Sequence, residues 1–547
     1  MGSYFSIPSD CDKIHILMLT SWFSPLAPAA VLLLGAFLLS IVFPRLPDRW
    51  RSQRFVGRFG ASSLVGLAVL ALLGTRLAIH TDTLGEELEL LSGWNFSTIE
   101  SVATLAVRAD VVSLSFMLLT LLILMALTIA NSGDQTKTGK GASWLALGAG
   151  ACLLFVSANG LTIGYAVLFF DFVAMVYWLR RGQTGLGVAQ LFLGVFTTSG
   201  LVLASLNASV GNILFGMALW LRLGLYPLSE TINRTRLRDY GYLVYLAFSL
   251  TVGLYLAIRV WVGPLPEILL WLIVLTMLLG GSLTWLTDDR FTRLIGLVIV
   301  EASLMLLPES LDEGAAVAYV LGLILSLVAL WVTPPWGKPE LAERGWPWPY
   351  LPAVGATLTL LGVPFSLSWP ARASIYQSLF GSEQIIFIGL ILLAEGLALS
   401  GLVQYWLLVW QGQDENGVQA VAGTVIMVPF LIPVLAPFIL SALTQTELPS
   451  VDLKLSSPIF IASIIVAGLA IGGGYFKPQI MSRLKLSSES FTEFAGLLTL
   501  AWRWGATSLD WLAKLSLRVE VLLQGQHYMG WALFTALVGV VVILLGT

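Results

Sequence analysis

Residues 110–131 read DVVSLSFMLLTLLILMALTIAN, and past the opening Asp110 this stretch carries no charged side chain. A helix rises about 1.5 Å per residue, so a run of this length crosses the roughly 30 Å hydrocarbon core of a bilayer. Similar runs recur to the end of the chain. Spans are predicted at 23–44, 61–80, 110–131, 142–158, 161–179, 186–206, 210–228, 241–262, 266–286, 293–308, 315–333, 351–379, 385–410, 419–443, 456–476 and 527–546. That makes about sixteen, each near helix length and far longer than a barrel strand of about 9–11 residues. With no water to satisfy backbone groups in lipid, helices are the form such runs must take. No cleavable leader is expected ahead of the first run, which is long enough to span.

The composition agrees. Charged residues make up 11% of the 547 residues and hydrophobic ones 57%, with a mean hydropathy of +0.86. An ordinary soluble protein carries about 25% charge. A soluble enzyme, a nucleic-acid binder and a disordered scaffold are therefore excluded, and the bilayer itself is the first partner. The two cysteines, Cys11 and Cys152, make no disulfide framework, and the histidines His15, His80 and His527 are far apart in sequence. No CxxC or Cys/His cluster is present, so no metal, haem or other cofactor is expected on this chain. Any redox chemistry belongs to another polypeptide.

Loop charges set an orientation. The loop after the first span holds Arg45, Arg49, Arg51, Arg54 and Arg58, and the next is acidic, with Asp82, Glu86, Glu87, Glu89 and Glu100. Lys137 and Lys140, Arg180 and Arg181, Arg234, Arg236 and Arg238, then Arg290 and Arg293 continue the basic series, while Glu309, Asp312 and Glu313 continue the acidic one. By the positive-inside rule the basic loops are cytoplasmic and both termini lie outside, in a prokaryotic cytoplasmic membrane. Segment 477–526 breaks the run of spans. It spreads Glu489, Glu493, Arg503, Asp510, Lys514, Arg518 and Glu520 among Trp502, Trp504, Trp511, Leu512, Leu515 and Leu517. This pattern suits an amphipathic helix lying along the cytoplasmic face, or else an amphipathic linker.

Five charges fall well inside predicted spans, away from their ends: Asp171, Arg222, Glu301, Arg372 and Glu395. Charge at the bilayer centre costs about 2.5–3.5 kcal/mol on insertion scales and marks ion paths or buried pairs. An ion or proton path and static pairing both remain open for these five. Arg76 and Arg259, nearer span ends, read as static partners or snorkelling side chains. Pro227 follows Arg222, and Pro364 and Pro370 precede Arg372. Helix breaks are expected at both places, because proline removes an amide donor and crowds the preceding turn.

At these residues the chain resembles the antiporter-like membrane subunits of respiratory complex I, a family shared with cation/proton antiporter complexes and membrane-bound hydrogenases. Arg108-Ala-Asp-Val-Val-Ser-Leu-Ser-Phe is similar to the family's Asp-Gly-Leu-Ser opening of span 3, and Phe170-Asp-Phe to its Glu-bearing stretch of span 5. Arg222-Leu-Gly-Leu-Tyr-Pro-Leu resembles Lys-Ser-Ala-Gln-Phe-Pro-Leu in span 7. Leu361-Gly-Val-Pro followed by Arg372 resembles the Gly-Ile-Pro-Pro…Lys motif of segment 12, and Thr251-Val-Gly-Leu-Tyr fits the Gly-x-Tyr turn of span 8. The likeness covers about 105–410. The chain departs from the pattern in having Asp171 for Glu, Arg222 and Arg372 for Lys, Thr251 for Lys or His, and Ser229-Glu-Thr-Ile-Asn for the usual His-Thr-Trp-Leu-Pro.

The resemblance implies an organisation into spans 1–2 with an acidic outer loop (1–104), an antiporter-like core (105–443), span 15 (444–476), a lateral helix (477–526) and a final span (527–547). It also implies roles: Asp171 as titrating gate, Arg222 as its counter-charge, Glu301 as central relay, Arg372 as exit-side switch and Glu395 as a fifth member. Asp171 and Arg222 are expected within direct or one-water reach, with Glu301 and Arg372 also pointing inward. A desolvated Lys can release its proton near neutral pH, whereas Arg keeps its own. The family's easy proton donors are thus missing. The implied function is a non-catalytic subunit of an NADH:quinone oxidoreductase-like or hydrogenase-like complex, moving protons or cations. The implied partners are further antiporter-like subunits and a soluble redox or carbon-chemistry protein. Two alternatives stay open: a non-pumping assembly subunit, and the membrane half of an ion-coupled inorganic-carbon uptake pair.

Overall fold

A computed structural model of the chain describes residues 25–39, 53–78, 87–89, 106–130, 138–181, 184–206, 208–223, 240–260, 267–287, 290–307, 313–332, 351–362, 366, 368–381, 385–411 and 458–484. Within them the chain is almost entirely helical. The helices are α1 (Ala27–Phe37), α2 (Gln53–Ala78), α3 (Val111–Ala130), α4 (Thr138–Phe155), α5 (Gly160–Leu179), α6 (Thr184–Leu206), α7 (Ala208–Arg222) and α8 (Tyr240–Arg259). They continue as α9 (Glu267–Leu286), α10 (Arg290–Leu304), α11 (Glu313–Val332), α12 (Leu351–Leu360), α13 (Trp369–Gly381), α14 (Ile385–Gln411) and α15 (Pro458–Leu484). Among the described residues, seven helices (α3, α5, α6, α9, α11, α14 and α15) are long and apolar enough to cross a membrane. The chain is a multi-pass α-helical membrane protein. The predicted spans 419–443 and 527–546, Pro227 and Pro364 lie outside the described residues, as does most of segment 477–526. The helix expected to end at 476 runs on to Leu484.

Two details of the fold were not expected. A short antiparallel pair, β1 (Glu87–Glu89) and β2 (Ala106–Arg108), matches Leu88 to Val107. The β2 strand is also fastened inward. Ala106 N donates to Thr162 Oγ1 at 3.1 Å, and Thr162 N donates to Asn159 Oδ1 at 2.9 Å. Asn159 thereby caps α5, filling one of the orphan amides at a helix start.

Segment 351–379 is broken, as its prolines predict. α12 stops at Leu360, Gly362 has φ +63°, and α13 starts at Trp369 with Pro370 in its first turn. A first-turn proline costs the helix nothing, because that amide has no partner there. The positive φ suits glycine, which lacks the Cβ that penalises this region.

At the start of α3, Asp110 accepts a hydrogen bond from Ser113 N at 2.8 Å, capping the helix. Its other oxygen lies 2.8 Å from Arg259 Nη2 and 3.3 Å from Arg108 Nε. Arg259 is thus a static partner holding the end of α8 to the start of α3. Asp110→Ala is expected to lower the melting temperature of the detergent-purified chain by losing both the cap, worth about 1 kcal/mol, and the ion pairs. Asp110→Asn keeps a capping oxygen and should recover part of the loss. Equal melts for the two variants would show that the cap contributes nothing, and an Asn variant that melts with the unchanged chain would show that the ion pairs contribute nothing.

The helices form one continuous packed bundle. α3, α4, α8 and α11 are in mutual contact or share neighbours, and α9, α10 and α14 make a second packed group. Phe116, Phe155 and Tyr255 meet as an aromatic trio with centroids 4.9–5.4 Å apart, and the Tyr255 hydroxyl donates to Phe155 O at 2.9 Å. This arrangement gives the ring's one polar atom a partner.

Candidate functional site

All five span charges are buried, none more than 3% exposed. They fall into two separate groups.

The first joins α5, α6, α7 and α8. Asp171, on α5, receives both arms of the Arg222 guanidinium: Nη1 to Oδ1 at 3.1 Å and Nη2 to Oδ2 at 2.5 Å. Gln190 Nε2, on α6, donates to the same Oδ1 at 2.5 Å. Arg222 Nη2 also reaches Thr197 Oγ1 at 3.2 Å. The Tyr245 hydroxyl, on α8, donates to Gln190 Oε1. Arg222 is the last residue of α7, where a cation faces the negative end of the helix dipole. Its own carbonyl accepts from Ser249 Oγ at 3.4 Å. The group therefore holds one carboxylate and one guanidinium, each with hydrogen-bond partners.

Gly194 makes room for it. A Cβ at that position would stand 2.5 Å from Asp171 Oδ2 and 2.9 Å from Asp171 Cβ. Gly194→Ala is expected to push the carboxylate off the guanidinium and cost about 1–3 kcal/mol, the usual range for overpacking. Gly389→Ala, where a Cβ meets nothing within 4 Å, is the control. Matching thermal melts for the two variants would refute the close approach.

The second group joins α10, α11, α13 and α14. Arg372 Nη2 lies 2.5 and 2.6 Å from the two carboxylate oxygens of Glu301. Arg372 Nη1 is 3.6 Å from Glu395 Oε1. The Tyr319 hydroxyl donates to Glu301 Oε2 at 2.5 Å, and the Tyr376 hydroxyl donates to Glu395 Oε2. The broken segment supplies the rest. Leu360 O, freed at the end of α12, accepts from Arg372 Nη2 at 2.9 Å, and Ser368 Oγ donates to Thr359 O. Two carboxylates thus surround one guanidinium. Glu301 and Arg372 are in direct contact rather than successive stations, and Glu395 belongs to the same knot.

Sequence reasoning missed the neutral members. Gln190 and Thr197 are polar residues within a predicted span, and a buried side-chain amide is itself a signal of a polar network. Tyr245, Tyr319 and Tyr376 gave none, because tyrosines also populate membrane interfaces. Arg293 was read as a loop charge. It lies one turn inside α10, 2% exposed. Its Nη2 donates to Thr287 O at 2.5 Å and to Gln404 Oε1 at 3.3 Å, and Lys477 Nζ reaches that same Oε1 at 3.0 Å.

The fold recurs in solved membrane complexes. A chain of the membrane-bound sulfane sulfur reductase MBS, described as an archaeal respiratory membrane complex, superposes with TM-score 0.61 at 13% identity, covering 94% of this chain and 99% of that one. The chain shares that chain's fold. A chain of the Mrp complex from Dietzia sp. DQ12-45-1b superposes with TM-score 0.62 at 15% identity, covering 94% of this chain and 62% of that longer one. A chain of respiratory complex I from Thermus thermophilus, solved with bound aureothin, gives 0.56 at 16% identity over 77% of this chain and 100% of that one. No protein-family model matches the sequence, and no curated protein does. The shared fold is built here on a sequence far from these three.

Proposed function

We propose that this chain is a membrane subunit of a multi-subunit, redox-driven complex in a prokaryotic cytoplasmic membrane, and that it moves protons through the Glu301–Arg372–Glu395 group. The supporting observation is the charge count of that group: two buried carboxylates on one guanidinium. A net charge buried this deeply costs several kcal/mol, and such groups neutralise instead. Arg372 cannot supply the change, because a guanidinium stays protonated. One proton held between Glu301 and Glu395 restores neutrality. It leaves or returns when the surrounding field changes, and the Tyr319 and Tyr376 hydroxyls, each bonded to one of the carboxylates, are the neighbouring donors.

The proposed partners are supported by the company that similar chains keep. The three similar chains come from multi-component complexes, two of them respiratory by description. Further antiporter-like subunits and a soluble redox protein are the proposed company, with both termini outside. The test is proton uptake by vesicles holding the whole complex, read with a trapped pH dye during turnover of the redox partner. Uptake that is unchanged in Glu301→Gln at matched turnover would refute the assignment. A non-pumping scaffold is the second reading, favoured by the Arg222–Asp171 pair, in which one guanidinium balances one carboxylate and both carboxylate oxygens already accept hydrogen bonds. On that reading the same variant lowers complex yield and leaves uptake per turnover as it was.

A further inference from the structure

Asp171 accepts three hydrogen bonds on two oxygens: two from Arg222 and one from Gln190 Nε2. Gln190 in turn is oriented from behind, since its Oε1 accepts from the Tyr245 hydroxyl. An ionised carboxylate only accepts, so the NH2 group of the amide faces Asp171, and the Tyr245 hydroxyl serves the oxygen at the other end. The charged and titratable neighbours on the packed elements are Arg222 from α7 and Tyr245 from α8, while α6 contributes the neutral Gln190 and Thr197. The charges sum to zero with Asp171 ionised. A proton on Asp171 would leave Arg222 as an unbalanced cation and would weaken the charge-assisted bonds that the carboxylate accepts.

We infer that Gln190 is a positioning residue that clamps Asp171 as a permanent partner of Arg222, so that this pair holds charge without exchanging a proton. The inference deepens the proposed function and rests on it for the place where exchange does occur, the Arg372 group. The two groups differ in their third member. Arg372 has a second carboxylate beside it, Glu395, whereas the third member of the Arg222 group is a neutral amide that bonds the carboxylate of Asp171.

Infrared spectroscopy of the purified full chain in lipid nanodiscs at neutral pH tests this through the carbonyl band of a protonated, buried carboxylic acid. The probe is carbon-13 label introduced by cell-free synthesis, in aspartate or in glutamate. The band is expected to shift with labelled glutamate and not with labelled aspartate. Asp171→Glu, which keeps the charge, assigns any aspartate signal to this position. A band that shifts with labelled aspartate and loses that shift in Asp171→Glu overturns the clamp. Absence of any glutamate-labelled band overturns the proposed function and leaves the clamp standing. Gln190→Glu puts a second carboxyl group against Asp171 with one guanidinium to balance the two, and should add intensity to the acid band. A folded Gln190→Glu protein without the added intensity overturns the clamp, and the label experiment on the unchanged chain decides the matter if that variant does not fold.

Discussion

Glu395→Gln is expected to abolish proton movement through this chain while leaving the yield of the complex intact. The substitution is nearly isosteric. A glutamine carbonyl can still accept from the Tyr376 hydroxyl, and Glu301 still contacts Arg372 at 2.5 and 2.6 Å. What changes is the count: one carboxylate now faces one guanidinium, and the group is neutral with no proton aboard. Uptake attributable to this chain should fall at least about tenfold, the change that ~1.4 kcal/mol on a barrier produces. Stability should hold or rise, because Glu395 Oε1 has no hydrogen-bond donor and its nearest cation atom is 3.6 Å away. Vesicle proton uptake per electron, measured beside the mass of assembled complex, reads both outcomes. An unchanged ratio removes Glu395 from the path.

Asp171→Asn is expected to have the opposite profile. It strands the Arg222 guanidinium, 2% exposed, without a counter-charge. Breaking one side of a buried pair costs about 3–5 kcal/mol, enough to take most of a marginally stable membrane protein out of the assembled pool. Replacing both partners with apolar residues, as in Asp171→Leu with Arg222→Met, removes the stranded cation, and such swaps are often neutral. The double variant should therefore recover much of the yield. It should also keep its proton-to-electron ratio, since the pair carries no exchangeable proton. A double variant that assembles but no longer moves protons would return Asp171 to the role of gate. Amounts of assembled complex and vesicle uptake on the same preparations separate these results.

The span pattern was legible because hydrocarbon imposes length and apolarity on every crossing helix. The break before Arg372 was legible from Pro364 and Pro370, whose chemistry leaves few alternatives. The β1–β2 pair was not, since three residues per strand are too few for alternation to stand out. The charges of the site could be read as charges, because their cost in lipid singles them out. Their grouping could not. Nothing local to Glu395 says that it meets Arg372 rather than another cation, because packing across α13 and α14 decides that. Arg293 misled in the other direction. A span start and a cytoplasmic loop read alike when one arginine sits between them, and its contact with Gln404 is a long-range one.

The guanidinium of Arg372 has a second duty at the end of α12, where it bonds the Leu360 carbonyl that the break left open. The donor that serves the carboxylates therefore also serves the backbone. Linkage of this kind is reciprocal: whatever draws the guanidinium toward Glu301 or Glu395 alters its hold on Leu360 by the same free energy, and bending the segment acts back on the carboxylates. Gly362 leaves little slack between the two, since a Cβ there would stand 2.7 Å from Arg372 Cδ. The kink in this segment is thus a mechanical gauge of the charge beside it, and amide exchange along 359–362 is where its needle would be seen to move.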